Sequence, residues 1–236
     1  MTASLLLAAA ILLPAQEPER PYGPPPDKFT PDPAWKVLDK KSNSLFFDPR
    51  DRRLILRARV CLREGFLEHL LCAERTKEHE SIFATTASPR LIHAGLLLTE
   101  AKPGHPVRYQ PKFEPPTGTP MAITVEWIED GKSKTLEAKA LIQDSKTKKP
   151  LELDWVFAGS DTFPDPQDPK KIIYSADDGD LFTVANFTGA ILDLPMKSSG
   201  DDTQRSFVAN TDKLPPRNTY VTVILQPIKK PEPAKR

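Results

Sequence analysis

Apolar and polar positions alternate along 121–127: Met121, Ile123, Val125 and Trp127 fall on one side, and Ala122, Thr124 and Glu126 on the other. Period two is the mark of a half-buried strand. Asp130-Gly131 follows, and a two-residue hairpin turn needs φ > 0 at both central positions, which Asp-Gly tolerates. Folding the chain there predicts a hairpin that pairs Val125 with Leu136, Ile123 with Ala138 and Met121 with Ala140, with Glu129 opposite Lys132. Every inward pair is apolar with apolar, so turn chemistry and register agree.

The same rule predicts strands over 54–60 and 66–71, flanking a turn at Arg63-Glu64-Gly65. It predicts another over 151–157, where Leu151, Leu153, Trp155 and Phe157 alternate with Glu152, Asp154 and Val156. Segments 181–185 and 220–225 are rich in β-branched and aromatic residues, and 81–86 is a further strand. One helix stands apart, over about 89–100. Ser88 suits an N-cap, Pro89 suits the first helical position, and Leu91, Ile92, Leu96 and Leu98 follow. Lys102-Pro103-Gly104 stops it. One packed helix among many strands predicts an α+β class dominated by antiparallel β-sheets in a sandwich-like arrangement. No repeat with a period of about 20–50 residues is visible, which excludes a solenoid or propeller.

The ends of the chain follow different rules. Residues 1–15 are apolar and uncharged, too short to span a bilayer but of signal-peptide length, with Ala15 offering a small residue for cleavage. The positive charge at the start is only the α-amino group, since no Lys or Arg precedes the apolar run. Residues 16–38 read as a spacer: Pro18, Pro21, Pro24, Pro25, Pro26, Pro31 and Pro33 disfavour backbone ladders and favour extended polyproline II. A single folded domain over 39–227 and a polar tail over 228–236 complete the expected organisation.

Charge narrows the partners. With 33 basic and 32 acidic residues the net charge is +1, which argues against nucleic acid, whose binders carry a basic excess. No second apolar run is long enough to anchor the mature chain in a membrane, and no cysteine lies in residues 2–15 to carry a lipid. The expected location is therefore extracytoplasmic, in the periplasm or secreted.

Chemistry is sparse. Cys61 and Cys72 suggest one disulfide in an exported protein, yet a turn centred on Glu64-Gly65 sets Cys61 opposite Glu68, not Cys72. A shifted turn would permit the bridge; two buried thiols, or metal or redox duty, are the alternatives. His69, Cys72, His79 and Glu80 place possible zinc ligands within a dozen residues, but Glu80 is followed by Ser81-Ile82-Phe83 and the His-Glu-x-x-His pattern is absent. A polar turn between strands accounts for them, and a divalent metal stays open. Asp177, Asp178 and Asp180, like the Asp161–Asp168 stretch, offer loop oxygens for calcium without the alternating loop that binds it, so solvated turns are the default. Gly159-Ser160 lacks a nucleophile elbow, and no phosphate-cradling or dinucleotide loop occurs.

The blocks Val60-Cys-Leu-Arg-Glu-Gly65, Lys77-Glu-His-Glu-Ser-Ile82, Ala101-Lys-Pro-Gly104, Trp155-Val-Phe-Ala-Gly-Ser160, Asp180-Leu-Phe-Thr-Val-Ala-Asn186 and Leu192-Asp-Leu-Pro195 resemble the YdjY-domain proteins, in the same order, across most of residues 50–226. The resemblance implies an exported bacterial protein of planctomycete type, and no particular activity. Some relatives carry a ferredoxin-like label. This chain has two cysteines, whereas an iron–sulfur cluster typically takes four thiolates, so that cofactor is not carried over. The resulting expectation is a non-catalytic domain that binds a small ligand or an envelope protein. The alternative is a metal or redox protein built on His69, Cys72, His79 and Glu80.

Overall fold

The computed structural model describes residues 29–197 and 207–229. The expected signal peptide, the spacer up to residue 28 and the tail beyond Lys229 lie outside the described residues. The strands are β1 (Lys36–Val37), β2 (Leu45–Asp48), β3 (Arg53–Val60), β4 (His69–Ala73), β5 (Ser81–Thr85), β6 (Pro120–Glu129), β7 (Lys132–Glu137) and β8 (Ile142–Asp144). They continue with β9 (Trp155–Phe157), β10 (Thr162–Pro164), β11 (Ile172–Tyr174), β12 (Asp180–Thr183), β13 (Leu192–Asp193), β14 (Phe207–Ala209) and β15 (Tyr220–Pro227). Among the described residues there is one α-helix, α1 (Pro89–Leu98), and no helix is long and apolar enough to cross a membrane.

Eight strands close into a barrel in the order β3-β15-β6-β9-β13-β12-β4-β5 and back to β3. The β-dominated expectation holds, and the sandwich-like arrangement becomes a sheet closed on itself. Closure happens at β3, whose one edge pairs with β15 while its other edge is shared. Leu54 and Leu56 pair there with Phe47 and Leu45 of β2, and Arg59 and Val60 pair with Ala84 and Phe83 of β5. The sheet is mixed, because β4 runs parallel to β5 and β12 parallel to β13. Closure removes sheet edges, which would otherwise invite association. The side pairs β10–β11 and β8–β14 lie off the ring.

Alternation fills the interior. Leu54, Leu56, Ala58 and Val60 of β3, Val221, Val223 and Leu225 of β15, and Met121, Ile123, Val125 and Trp127 of β6 all join one buried core. The β6–β7 hairpin forms with Val125 opposite Leu136 and Glu129 opposite Lys132, as expected. Asp130 and Gly131 have φ of 50° and 74°, which meets the turn's demand for positive φ. The pairing stops at Glu137, where Ala138–Leu141 coils into a 3-10 turn, so Ile123 and Met121 do not meet Ala138 and Ala140. Both find partners elsewhere: Ile123 faces Leu225, and Met121 faces Pro227 and Trp155.

Three further expectations change. Strands 54–60 and 66–71 are not a hairpin; β3 takes β15 from the far end of the domain, while β4, starting at His69, lies between β5 and β12. Only Trp155–Phe157 of the 151–157 run is strand, with Leu153 partly exposed. The body also begins before residue 39. Phe29 and Trp35 pack on Phe46 at ring-centroid distances of 5.7 and 6.2 Å, and β1 pairs with β2 inside the stretch assigned to the spacer.

Helix α1 starts at Pro89 as expected and ends two residues early, at Leu98. Ser88 makes no side-chain cap; its own N–H donates to the buried Asp39 carboxylate at 3.0 Å. Ile92 and Leu96 enter the core, and Gly95 lets the helix close on β3. A Cβ at Gly95 would stand 2.4 Å from Leu54 Cδ1.

Candidate functional site

The barrel wall formed by β4, β12, β13 and β9 is short and irregular, and it buries His69, Thr183 and Asp193, with Asn186 beside them. The β4–β12 register shifts on both sides of Phe182. Such bulges re-aim side chains and are common beside functional sites. Here they bring Asp180 to His69. His69 is fully buried, its Nε2 lies 3.0 Å from Asp180 Oδ1, and its ring stacks on Phe187 with centroids 5.2 Å apart. An ionised carboxylate only accepts, so Nε2 is the donor in this hydrogen bond. Nδ1 has no hydrogen-bond partner among the described residues.

Two glutamates join this imidazole. Glu68 precedes β4, and its N–H donates to the Glu80 carbonyl at 3.0 Å, while the Val184 N–H donates to the Glu68 carbonyl at 2.8 Å. The parallel β4–β5 pairing sets His69 opposite Ser81, immediately after Glu80. One ligand atom from each of Glu68, His69 and Glu80 lies within 4.8 Å of the others. Glu68 is half-buried and Glu80 is buried.

Next along the same wall is Asp193, fully buried on β13. Thr183 Oγ1 and the Leu194 N–H each donate to its Oδ1 at 2.8 Å, and Asn186 Nδ2 reaches both carboxylate oxygens. Burial outweighs these donors and raises the Asp193 carboxyl to about 7. Trp155 closes the network from β9 by donating its indole N–H to the Thr183 carbonyl at 2.7 Å.

The residues singled out in the sequence separate. His69 and Glu80 come together, whereas His79 faces solvent with its Nε2 3.6 Å from Glu80 Oε1. Cys72 packs with Cys61 and Ala84, apart from the main core, and both cysteines are free buried thiols. The hydrogen bond between the two thiols, together with burial, pushes Cys61 far above the usual thiol range, and the same bond lowers Cys72. Asp177 is ion-paired to Arg90 at 2.8 Å and Asp180 is hydrogen-bonded to His69, and among the described residues Asp177, Asp178 and Asp180 do not form a converging ligand set. Glu68 had no signal in the sequence, and Asp193 stood out only as part of the family block Leu192-Asp-Leu-Pro195. Nothing local distinguishes Glu68 from any polar residue next to a strand, and Asp193 lies in an otherwise apolar run.

A second feature lies on the opposite, regular wall. Phe29, Arg57, Trp127, Ile128 and Tyr220 line a groove of about 520 Å3 on the outer face of β3, β15 and β6. Arg57 is buried, donates to Thr222 Oγ1 at 2.9 Å, and lies 4.1 Å from the Phe29 ring centroid. Ile128 is 66% exposed, and the buried Trp127 indole N–H has no hydrogen-bond partner among the described residues.

A closed mixed barrel with one regular wall and one polar, bulged wall defines the structural class. Within that class the chain matches the YdjY domain over residues 45–226, and it belongs to that family. Neither the curated proteins nor the solved structures compared with it give a match.

Proposed function

We propose that this protein is a non-catalytic, extracytoplasmic barrel domain that binds a ligand or protein partner at the cell envelope through the groove on its regular wall. The observation that carries the reading is the groove itself, which joins the exposed Ile128 to the aromatic Phe29 and Tyr220. The chemistry fits a segment that carries apolar and aromatic groups. A metal or redox function centred on Cys72 and His79 is supported less, since those two side chains face different surroundings.

Panning a displayed peptide library against the full chain and against Ile128→Glu tests the reading. The expected result is enrichment of related apolar peptides that bind the natural sequence and not the variant. Ile128 is exposed enough for the variant to fold. No enrichment, or equal binding to both proteins, would sink the proposal.

A further inference from the structure

We infer that Glu68, His69 and Glu80 form a binding site for a divalent transition cation, with Asp180 orienting the imidazole. Three acceptor groups converge: one ligand atom from each residue, all within 4.8 Å of one another. A cation of charge two is the natural centre for such a set, and carboxylate with imidazole suits zinc or manganese better than calcium or magnesium, which take oxygen alone. The second, independent observation is His69 itself. It is fully buried, Asp180 holds its Nε2 at 3.0 Å, and Nδ1 has no hydrogen-bond partner among the described residues. Metal-ligating histidines almost always give their other ring nitrogen to a carboxylate or carbonyl, which fixes the tautomer and raises ligand basicity. Here the carboxylate is in place and the ring is clamped against Phe187.

The backbone supports the same geometry. Glu68 is fixed to the Glu80 carbonyl and to Val184 by backbone hydrogen bonds, and His69 sits in register with Ser81. All three ligands therefore come from paired or adjoining strand positions and not from free loop ends. Three protein donors leave coordination positions for water or a further ligand. Cys72 and His79 play no part in this set. The site is independent of the groove, which lies on the other wall.

The test uses the full chain, stripped with a chelator and titrated with Zn2+ by calorimetry and native mass spectrometry. The expected result is one Zn2+ per chain, with binding that weakens as pH falls because imidazole and carboxylates must be unprotonated. Asp180→Asn should weaken binding about 10- to 100-fold. Glu80→Gln should weaken it further, and Cys72→Ser, His79→Ala and Ile128→Glu should leave it unchanged. Glu68→Gln, at a half-buried position, serves if Glu80→Gln does not fold, and circular dichroism separates the two cases. Absence of stoichiometric Zn2+ on the natural chain overturns the inference. So does affinity that is equal across the Glu68, Glu80 and Asp180 variants, or that is lost only with Cys72 or His79.

Discussion

Between β3 and β15 the ladder runs unbroken from Tyr220–Arg59 to Leu225–Leu54, and β15 continues the same regularity into β6. Across the barrel, β12 and β13 share the single pair Phe182–Leu192, and β12 meets β4 through two register shifts. The regular wall hides aliphatic residues inside and keeps its polar residues on the outer face, so its ladder carries stability. The irregular wall surrenders ladder hydrogen bonds and buries His69, Thr183, Asn186 and Asp193. Buried polar groups are tolerated chiefly when partnered: Thr183 and Asn186 donate to Asp193, and His69 bonds Asp180 through Nε2 while its Nδ1 has no partner among the described residues. Chemistry therefore collects where the sheet is least ideal.

The two walls also respond to pH in opposite senses. Asp48, at the end of β2 where it pairs with Arg53 of the regular wall's β3, is fully buried; burial works to raise it, but Arg53 and the N–H and side chain of Arg50 outweigh that and lower it to about 2. Its contribution to stability is present above the unfolded value of 3.8 and is lost as pH falls toward 2. Asp193 has the reverse sign. Its folded carboxyl holds a proton up to about 7 while the unfolded chain releases it near 3.8, so its contribution is full below 3.8 and is lost as pH rises through 7.

The contrast can be broken most forcefully at Trp155, which joins the walls by pairing with Met121 and donating to Thr183. Trp155→Ala should cost about 3–5 kcal/mol, read as a lower urea midpoint; a loss under about 1 kcal/mol would mean the walls do not share this core. Asp48→Asn should cost about 1.5–3 kcal/mol at neutral pH through weakened charge-assisted hydrogen bonds, and the loss should shrink when unfolding is repeated near pH 2. Asp193→Asn sharpens the comparison. Between pH 4 and 7 the natural chain should lose about 1.4 kcal/mol of stability per pH unit from this group, and the variant should not, which a series of denaturation curves across that range reads directly. Gly131→Ala, at φ 74° with nothing within 4 Å of the new methyl, should cost only about 1–2 kcal/mol of backbone strain and leave zinc binding intact.

Legibility in the sequence divides along the same line. The β6–β7 hairpin was readable because turn chemistry and alternation lie within one short stretch, and α1 because Pro89 and the Leu and Ile spacing are local. The four-residue β2, Leu45–Asp48, is buried at every position and shows no alternation, so no period in the sequence marks it as a strand. The supposed β3–β4 hairpin failed because Arg63-Glu64-Gly65 is a turn whose flanking strands choose other partners. At the candidate metal site His69 and Glu80 were visible as ligand types. Glu68 replaced Cys72 and His79 only because the parallel β4–β5 pairing and the bulged β4–β12 edge set which side chains meet.

By itself, then, the sequence determined the β-dominated class, the single helix, the core faces of the long strands and the family, because each is written in local period, turn chemistry or contiguous motif. The tertiary structure decided the closure of the barrel at β3, the separation of Cys72 from His69, and the meeting of Asp180 with His69 across 111 residues of chain. Those outcomes depend on which distant strands pair and in what register, and no local pattern specifies a partner.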